Sequence, residues 1–182
     1  MMLNKLREAT QQLHKDIEGG NTAGLIMDHS ITLEQYKTLL LQNFVAYKVT
    51  EEEIIKQLPT YSQDKTERLT QDLSTLKVDT SIVEDFKEKF SITTPAEAWG
   101  AWYVVEGSSL GGMMISKNIE KCEALTPMEE HHFFSGKRQN VNGWKQYCKD
   151  LKSKDFTETE EKQAIDKAKE TFQFFGKVFK EI

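Results

Sequence analysis

The sequence predicts an all-α fold, organised as a single domain over residues 1–182. Apolar residues recur with the three- to four-residue spacing of amphipathic helices along most of the chain. Helix-capping motifs begin several of these segments, whereas alternating strand patterns beside hairpin turns do not occur. Only three prolines interrupt the chain, so long helices are possible. We therefore expect a bundle of several helices.

The N-terminal half contains two helices whose ends the sequence marks. The first has one apolar stripe, formed by Leu3, Leu6, Leu13 and Ile17. The Gly19-Gly20 pair is a typical helix end. Thr32 and Gln35 have the spacing of a capping box and begin a second helix, which Pro59 limits. Two shorter helices are expected near residues 66–76 and 82–90.

The C-terminal half contains two further long helices. Thr94-Pro95-Ala96-Glu97 combines a capping box with proline at the first helical position. It predicts a helix from Pro95 to about Lys121. A segment near residues 127–134 and a helix near 143–152 follow. A third capping box, from Thr157 to Glu160, begins the last helix, whose apolar side is rich in phenylalanine.

Three glycines interrupt the helix that begins at Pro95: Gly107, Gly111 and Gly112. Each interior glycine costs roughly 1 kcal/mol of helix stability relative to alanine. Gly107 and Gly111 are one turn apart, so one side of the helix lacks side chains there. Its backbone can approach either a flat, bulky ligand or another helix, and the motif alone leaves both explanations open.

Composition excludes several classes of protein. The charged fraction of 29% and the hydrophobic fraction of 38% are typical of a globular chain. The net charge of -5 disfavours a nucleic-acid partner. The N-terminus lacks the apolar run of a signal peptide, and no apolar stretch is long enough to cross a membrane. We expect a cytoplasmic protein, and assign no role to Cys122 and Cys148.

The histidines are candidates for metal ligation. His14 lies beside the apolar stripe of the first helix, and the Glu18 carboxylate one turn later can orient its ring so that Nε2 meets a metal. Position alone favours a structural role for His14. Glu129 and His132 have the spacing of a di-iron carboxylate motif, but that architecture needs a second such motif, which the sequence lacks. His29, His131 and His132 are interpreted as solvated or structural.

Several motifs in order resemble a heme oxygenase of the soluble, biliverdin-producing bacterial type. The resemblance extends along essentially the whole chain. Its motifs are Leu6-Arg7-Glu8-Ala9-Thr10 with His14, Glu51-Glu52-Glu53-Ile54, Gly107-Ser108-Ser109-Leu110-Gly111-Gly112, Trp144-Lys145-Gln146-Tyr147, and Ala168 through Phe172 to Phe179.

The resemblance implies a heme oxygenase-like bundle with heme between the first helix and the glycine-broken, kinked helix. It implies that His14 is the proximal iron ligand and that Gly107, Ser108 and Gly111 form the catalytic distal side. The other heme-binding residues implied are Arg7, Lys145 and Lys149 at the propionates, with Gly112, Phe172 and Phe179 in the pocket wall. Asn43 and Tyr103 are further candidates for the pocket.

The resemblance also implies an activity. Heme would be both cofactor and substrate, cleaved with O2 and external electrons to biliverdin, carbon monoxide and ferrous iron. A ferredoxin, flavodoxin or reductase is the expected electron donor, because the chain carries no nucleotide-binding fingerprint. We expect a monomer or weak homodimer. Many animal-type members have an aspartate where this chain has Ser108, so a non-catalytic heme carrier or sensor remains an alternative.

Overall fold

The structure is a computed structural model that describes residues 1–20, 22–109, 112–135 and 139–182. Its α-helices are α1 (Met2–Gly20), α2 (Gly24–Met27), α3 (Leu33–Gln57), α4 (Asp64–Thr75), α5 (Pro95–Ser109), α6 (Gly112–Ile119), α7 (Gln139–Ser153) and α8 (Glu158–Glu181). Ser81–Lys89 and Glu123–Leu125 form 3-10 helices. The described residues contain no strand, and the all-α prediction is confirmed.

The helix starts follow the capping signals of the sequence closely. Two of the three predicted capping boxes, those at Thr32 and Thr157, are present. At α5 the cap differs in detail. The Thr94 hydroxyl accepts the Glu97 N–H at 3.2 Å, but the Glu97 carboxylate accepts the N–H of Thr93 at 2.6 Å rather than that of Thr94.

Several elements differ from the sequence prediction. The segment expected as a helix near 82–90 is the 3-10 helix Ser81–Lys89, in which the buried residues Val83 and Phe86 are three apart. That spacing suits a 3-10 helix, whose side chains at i and i+3 are aligned. The short helix α2 was not predicted, and residues 127–134 form turns. The long helix expected from Pro95 is described in two parts, α5 up to Ser109 and α6 from Gly112, and residues 110–111 between them lie outside the described residues.

Helix α5 has an extensive interface with α8 and also packs on α3 and α7. At Gly100 the backbones of α5 and α8 are in direct contact, because a Cβ there would overlap the carbonyl group of Ala164. This contact fixes α5 at its N-terminal half. Within the described residues, no helix combines the length and apolar character needed to cross a membrane.

Candidate functional site

A large cavity of about 710 Å³ lies at the C-terminal end of α5. Its volume falls in the range of roughly 300–1,000 Å³ that is common for small-molecule and cofactor sites. Much of the lining is apolar. The phenylalanine side chains of the lining come from α8 and from the loop before α7: Phe172, Phe175, Phe179, Phe133 and Phe134. The cavity can therefore hold a large, flat, apolar ligand.

His14 of α1 is one of the residues that line this cavity. Its Nδ1 lies 3.4 Å from a carboxylate oxygen of Glu18, and the edge of its ring meets Phe172 with centroids 5.7 Å apart. The side chain is 43% exposed, so it lies where the cavity meets solvent. Because Nδ1 faces Glu18, Nε2 is the nitrogen left for a ligand.

The glycines of α5 and α6 form a part of the cavity wall without side chains. Gly107 and Gly112 both line the cavity, whereas Gly111 lies outside the described residues. A Cβ built on Gly107 would meet, among the described residues, a Trp144 ring atom at 3.6 Å, which is an ordinary contact. Packing against the described residues therefore does not require glycine at position 107.

Ser108 and Tyr47 place a pair of hydroxyl groups on the cavity wall. The two oxygens are 2.6 Å apart, and the Ser108 hydroxyl donates to the Val105 carbonyl at 3.2 Å. Burial raises the pKa of the Tyr47 phenol further above its usual value, so the phenol stays protonated. Tyr47 is then the donor to Ser108, and the pair can hold a polar ligand atom or a water molecule.

Arg68 brings a cation to the cavity from α4. Its guanidinium donates to the Asp64 carboxylate at 2.8 Å, and its side chain is 12% exposed. Sequence reasoning missed both Arg68 and Tyr47 as site residues. The i, i+4 spacing of Asp64 and Arg68 is also typical of a surface ion pair, and Tyr47 belongs to the apolar pattern of α3, so neither carried a recognisable signal.

The structure brings six of the predicted site residues together in one cavity. They are His14, Gly107, Ser108, Gly112, Phe172 and Phe179. The three predicted propionate-binding residues, which are Arg7, Lys145 and Lys149, are exposed and are not among its lining residues. Their role stays a prediction.

The two further pocket candidates differ in position. Asn43 lines the cavity and donates to the Leu39 carbonyl at 2.8 Å. Tyr103 lies in the smaller core cluster of the protein, against Trp144 and Tyr147. It is not among the residues that line the cavity.

The remaining histidines make contacts within the protein. His29 Nε2 lies 3.0 Å from the Asn118 side-chain oxygen, and His131 Nδ1 lies 2.8 Å from the Tyr36 hydroxyl. His131 and His132 line a second cavity of about 460 Å³. In the described part of the chain, no three His, Cys, Asp or Glu side chains are grouped so that they could hold a metal ion.

The fold and the cavity define an all-helical protein with a large cavity that is lined by a histidine and by several phenylalanines. A family model described as heme oxygenase matches residues 1–181. The chain belongs to the heme oxygenase family and is an enzyme of that family. No sequence among curated proteins matches it significantly.

Solved structures of bacterial heme oxygenases share the fold. The NO- and CO-bound enzyme from Neisseria meningitidis is 22% identical, with a TM-score of 0.72 over 100% of this chain and 91% of that chain. The Leptospira interrogans enzyme is 19% identical, with a TM-score of 0.71 over 100% and 99% of the two chains. Heme oxygenase-1 from the cyanobacterium Synechocystis, in complex with heme, is 18% identical, with a TM-score of 0.72 over 99% and 91%.

Proposed function

We propose that residues 1–182 act as one heme oxygenase domain that binds heme and cleaves it to biliverdin, carbon monoxide and ferrous iron. The observation that carries the proposal is the meeting of His14 and the side-chain-free stretch at Gly107 in one cavity of cofactor size. O2 and electrons from an external donor, such as a ferredoxin, flavodoxin or reductase, would be consumed. The bound heme supplies the redox-active iron and is itself the ring that is opened.

The residues present fit heme in three respects. His14 offers an imidazole, the group that commonly ligates heme iron. The aromatic wall at Phe172 and Phe179 can pack on a porphyrin face, and the missing side chain at Gly107 leaves room beside the backbone of α5. We further propose that Arg7, Lys145 and Lys149 attract the propionates, whose charge favours cationic partners.

The role proposed for Ser108 is to hold a proton and a water molecule at the ring. Its hydroxyl accepts from Tyr47 and donates to a backbone carbonyl, so one lone pair of the oxygen remains for a water molecule. Among the described residues that line the cavity, Glu18 is the one with a carboxylate, and this carboxylate pairs with His14. Protons on the Ser108 side would therefore move through hydroxyl groups and water.

A hemin titration tests the proposal. The purified protein is titrated with hemin, and a reductant and O2 are then added while the absorption spectrum is recorded. We expect a saturable Soret band that decays as the biliverdin band appears. A Soret band that persists through several additions of reductant would instead identify a heme carrier, and the lack of a saturable band would exclude heme binding.

His14→Ala tests the proposed iron ligand. We expect loss or a large change of the histidine-ligated spectrum, because the remaining histidines contact other parts of the protein. His132→Ala is the matched control, since His132 lies in the second cavity. An unchanged spectrum in His14→Ala would refute the assignment.

A further inference from the structure

A buried ion pair joins α4 to the last turns of α5, away from the cavity lining. The Lys65 ammonium lies 2.5 Å from a carboxylate oxygen of Glu106, and the two side chains are 3% and 5% exposed. The Trp102 indole N–H donates to the same oxygen at 3.3 Å. Lysine and glutamate are almost never buried to this degree unless they are paired, because removing their charges from water is costly.

The position of Glu106 on α5 relates the ion pair to the cavity. Glu106 precedes Gly107 and is two residues before Ser108, both of which line the cavity. At 3.6 residues per turn, side chains two residues apart point about 200° apart around the helix axis. The Glu106 carboxylate therefore holds the side of α5 that is opposite to Ser108.

Helix α7 encloses the pair from another direction. A Cβ on Gly143 would overlap the Glu106 carboxylate, so glycine at this position provides the space that the carboxylate occupies. Glycine inside a helix weakens it, and the contact with Glu106 accounts for a glycine here. The carboxylate is thus confined by α4, by α7 and by its own helix.

On the α4 side, the ion pair is connected to Arg68. One Asp64 carboxylate oxygen lies 3.0 Å from the Lys65 ammonium, and the other lies 2.8 Å from the Arg68 guanidinium. Arg68 lines the cavity, whereas Lys65 and Glu106 do not. The Lys65–Glu106 ion pair therefore lies outside the cavity but next to two polar lining residues, Ser108 and Arg68.

We propose that Lys65 and Glu106 are positioning residues that fix the last turn of α5 so that the Ser108 hydroxyl stays bonded to Tyr47. They act through Ser108, whose neighbour Gly107 has no side chain to anchor the turn. The relevance of this positioning to heme rests on the proposed function, because the oriented hydroxyl is the one proposed to hold water at the ring.

The test observes Tyr47 directly in the heme-free protein. The chain has five tyrosines, so protein labelled with 13C at tyrosine Cζ gives a simple NMR spectrum, in which Tyr47→Phe identifies the Tyr47 resonance. Ser108→Ala defines the shift that accompanies loss of the hydrogen bond. We expect Glu106→Gln to shift the Tyr47 resonance in the same direction and by a comparable amount.

Two further variants complete the test. Glu34→Gln is the matched control, because Glu34 is an exposed partner of Lys37 on the same helix as Tyr47, and it should leave the Tyr47 resonance in place. If Glu106→Gln does not fold, the double variant Lys65→Met/Glu106→Leu replaces the pair with apolar side chains of similar size. It should also shift the Tyr47 resonance.

A folded variant without the ion pair that keeps the wild-type Tyr47 resonance, while Ser108→Ala moves it, would overturn the positioning role. A Ser108→Ala spectrum identical to that of the wild type would overturn it too. Because heme is absent from this measurement, its outcome is independent of the hemin titration. Failure of hemin to bind would remove the proposed function and leave the structural result unaffected.

Discussion

The hydrogen bond between Tyr47 and Ser108 is a polar contact at the edge of an aromatic core. The Tyr47 ring packs against Phe133 and Phe175, with centroids 5.4 and 5.3 Å away, and the residue is 2% exposed. A phenol in such surroundings needs an acceptor, because an unpaired buried hydroxyl keeps its full desolvation cost. Ser108 supplies that acceptor, and the same hydrogen bond fixes the orientation of the Ser108 side chain.

Removing the Ser108 hydroxyl and removing the Tyr47 hydroxyl should lower the free energy of unfolding by different amounts. Ser108→Ala leaves the Tyr47 phenol without its acceptor and should lower the free energy of unfolding by about 1–3 kcal/mol. Tyr47→Phe leaves the Ser108 hydroxyl bonded to the Val105 carbonyl, so its cost should be smaller, about 1 kcal/mol. Urea unfolding of both variants and of the double variant measures the coupling. Strictly additive costs would show that the two hydroxyls do not interact.

A second residue-scale prediction concerns His131 and pH. Burial lowers the pKa of His131 below its usual value of 6.5, although the nearby Asp72 and Glu120 charges oppose the change. Its Nδ1 lies 2.8 Å from the hydroxyl of Tyr36, and burial raises the pKa of that phenol. Below about pH 6.5 the unfolded chain therefore binds a proton that the folded protein resists, and stability falls as pH falls towards the lowered folded pKa.

Urea unfolding across this pH range checks the prediction. His131→Gln should lose less stability on acidification than the wild type, because the substituted side chain does not titrate. His132→Gln, one residue along the chain, is the matched control. An acid sensitivity that His131→Gln fails to reduce would contradict the assignment.

At the scale of elements, α5 uses one helical stripe for two purposes. Gly100 and Gly107 are seven residues apart, so they lie on nearly the same side of the helix. At Gly100 the backbone of α8 touches α5, since a Cβ would overlap the Ala164 carbonyl group. Gly107, further along the same side, lines the cavity, and a Cβ there would meet, among the described residues, a Trp144 ring atom at 3.6 Å. The backbone of α5 is therefore in tight contact at Gly100 and at an ordinary contact distance at Gly107, beside the cavity.

The two glycines should respond differently to alanine. Gly100→Ala forces α5 and α8 apart and should lower the free energy of unfolding by about 1–3 kcal/mol or more. Gly107→Ala meets only ordinary contact, so it should leave stability unchanged or raise it by up to roughly 1 kcal/mol through helix propensity. It should nevertheless weaken hemin binding or slow turnover. Thermal unfolding and hemin titration separate these effects, and equal destabilisation by both substitutions would contradict the explanation.

At the scale of the whole molecule, features that depend on residues close in sequence could be predicted better than features that depend on contacts between distant parts of the chain. Thr32 and Thr157 begin helices through residues three positions away, so those starts can be read from the sequence. His14 and Gly107 were also predicted as site residues and share the cavity. Arg68 was missed, because its pairing with Asp64 is local, whereas its position at the cavity depends on how α4 packs against α3 and α5.

The cavity also joins parts of the chain that are distant in sequence. Lining residues come from α1, α3, α6 and α8 as well as from α5. Within the described residues, α6 has few contacts with α5 and packs mainly on α2. A ligand in the cavity would touch all of these elements at once, so it should stabilise the folded protein as a whole.

Hemin should therefore raise the free energy of unfolding. A ligand that binds only the folded state adds about 2.7 kcal/mol when its free concentration is 100 times its dissociation constant. His14→Ala should lose much of this gain, because it lacks the proposed iron ligand, whereas His132→Ala should keep it. Urea unfolding at several hemin concentrations measures the effect. A gain that is the same in His14→Ala and in the wild type would place hemin at another site, since the proposed mode of binding depends on that histidine.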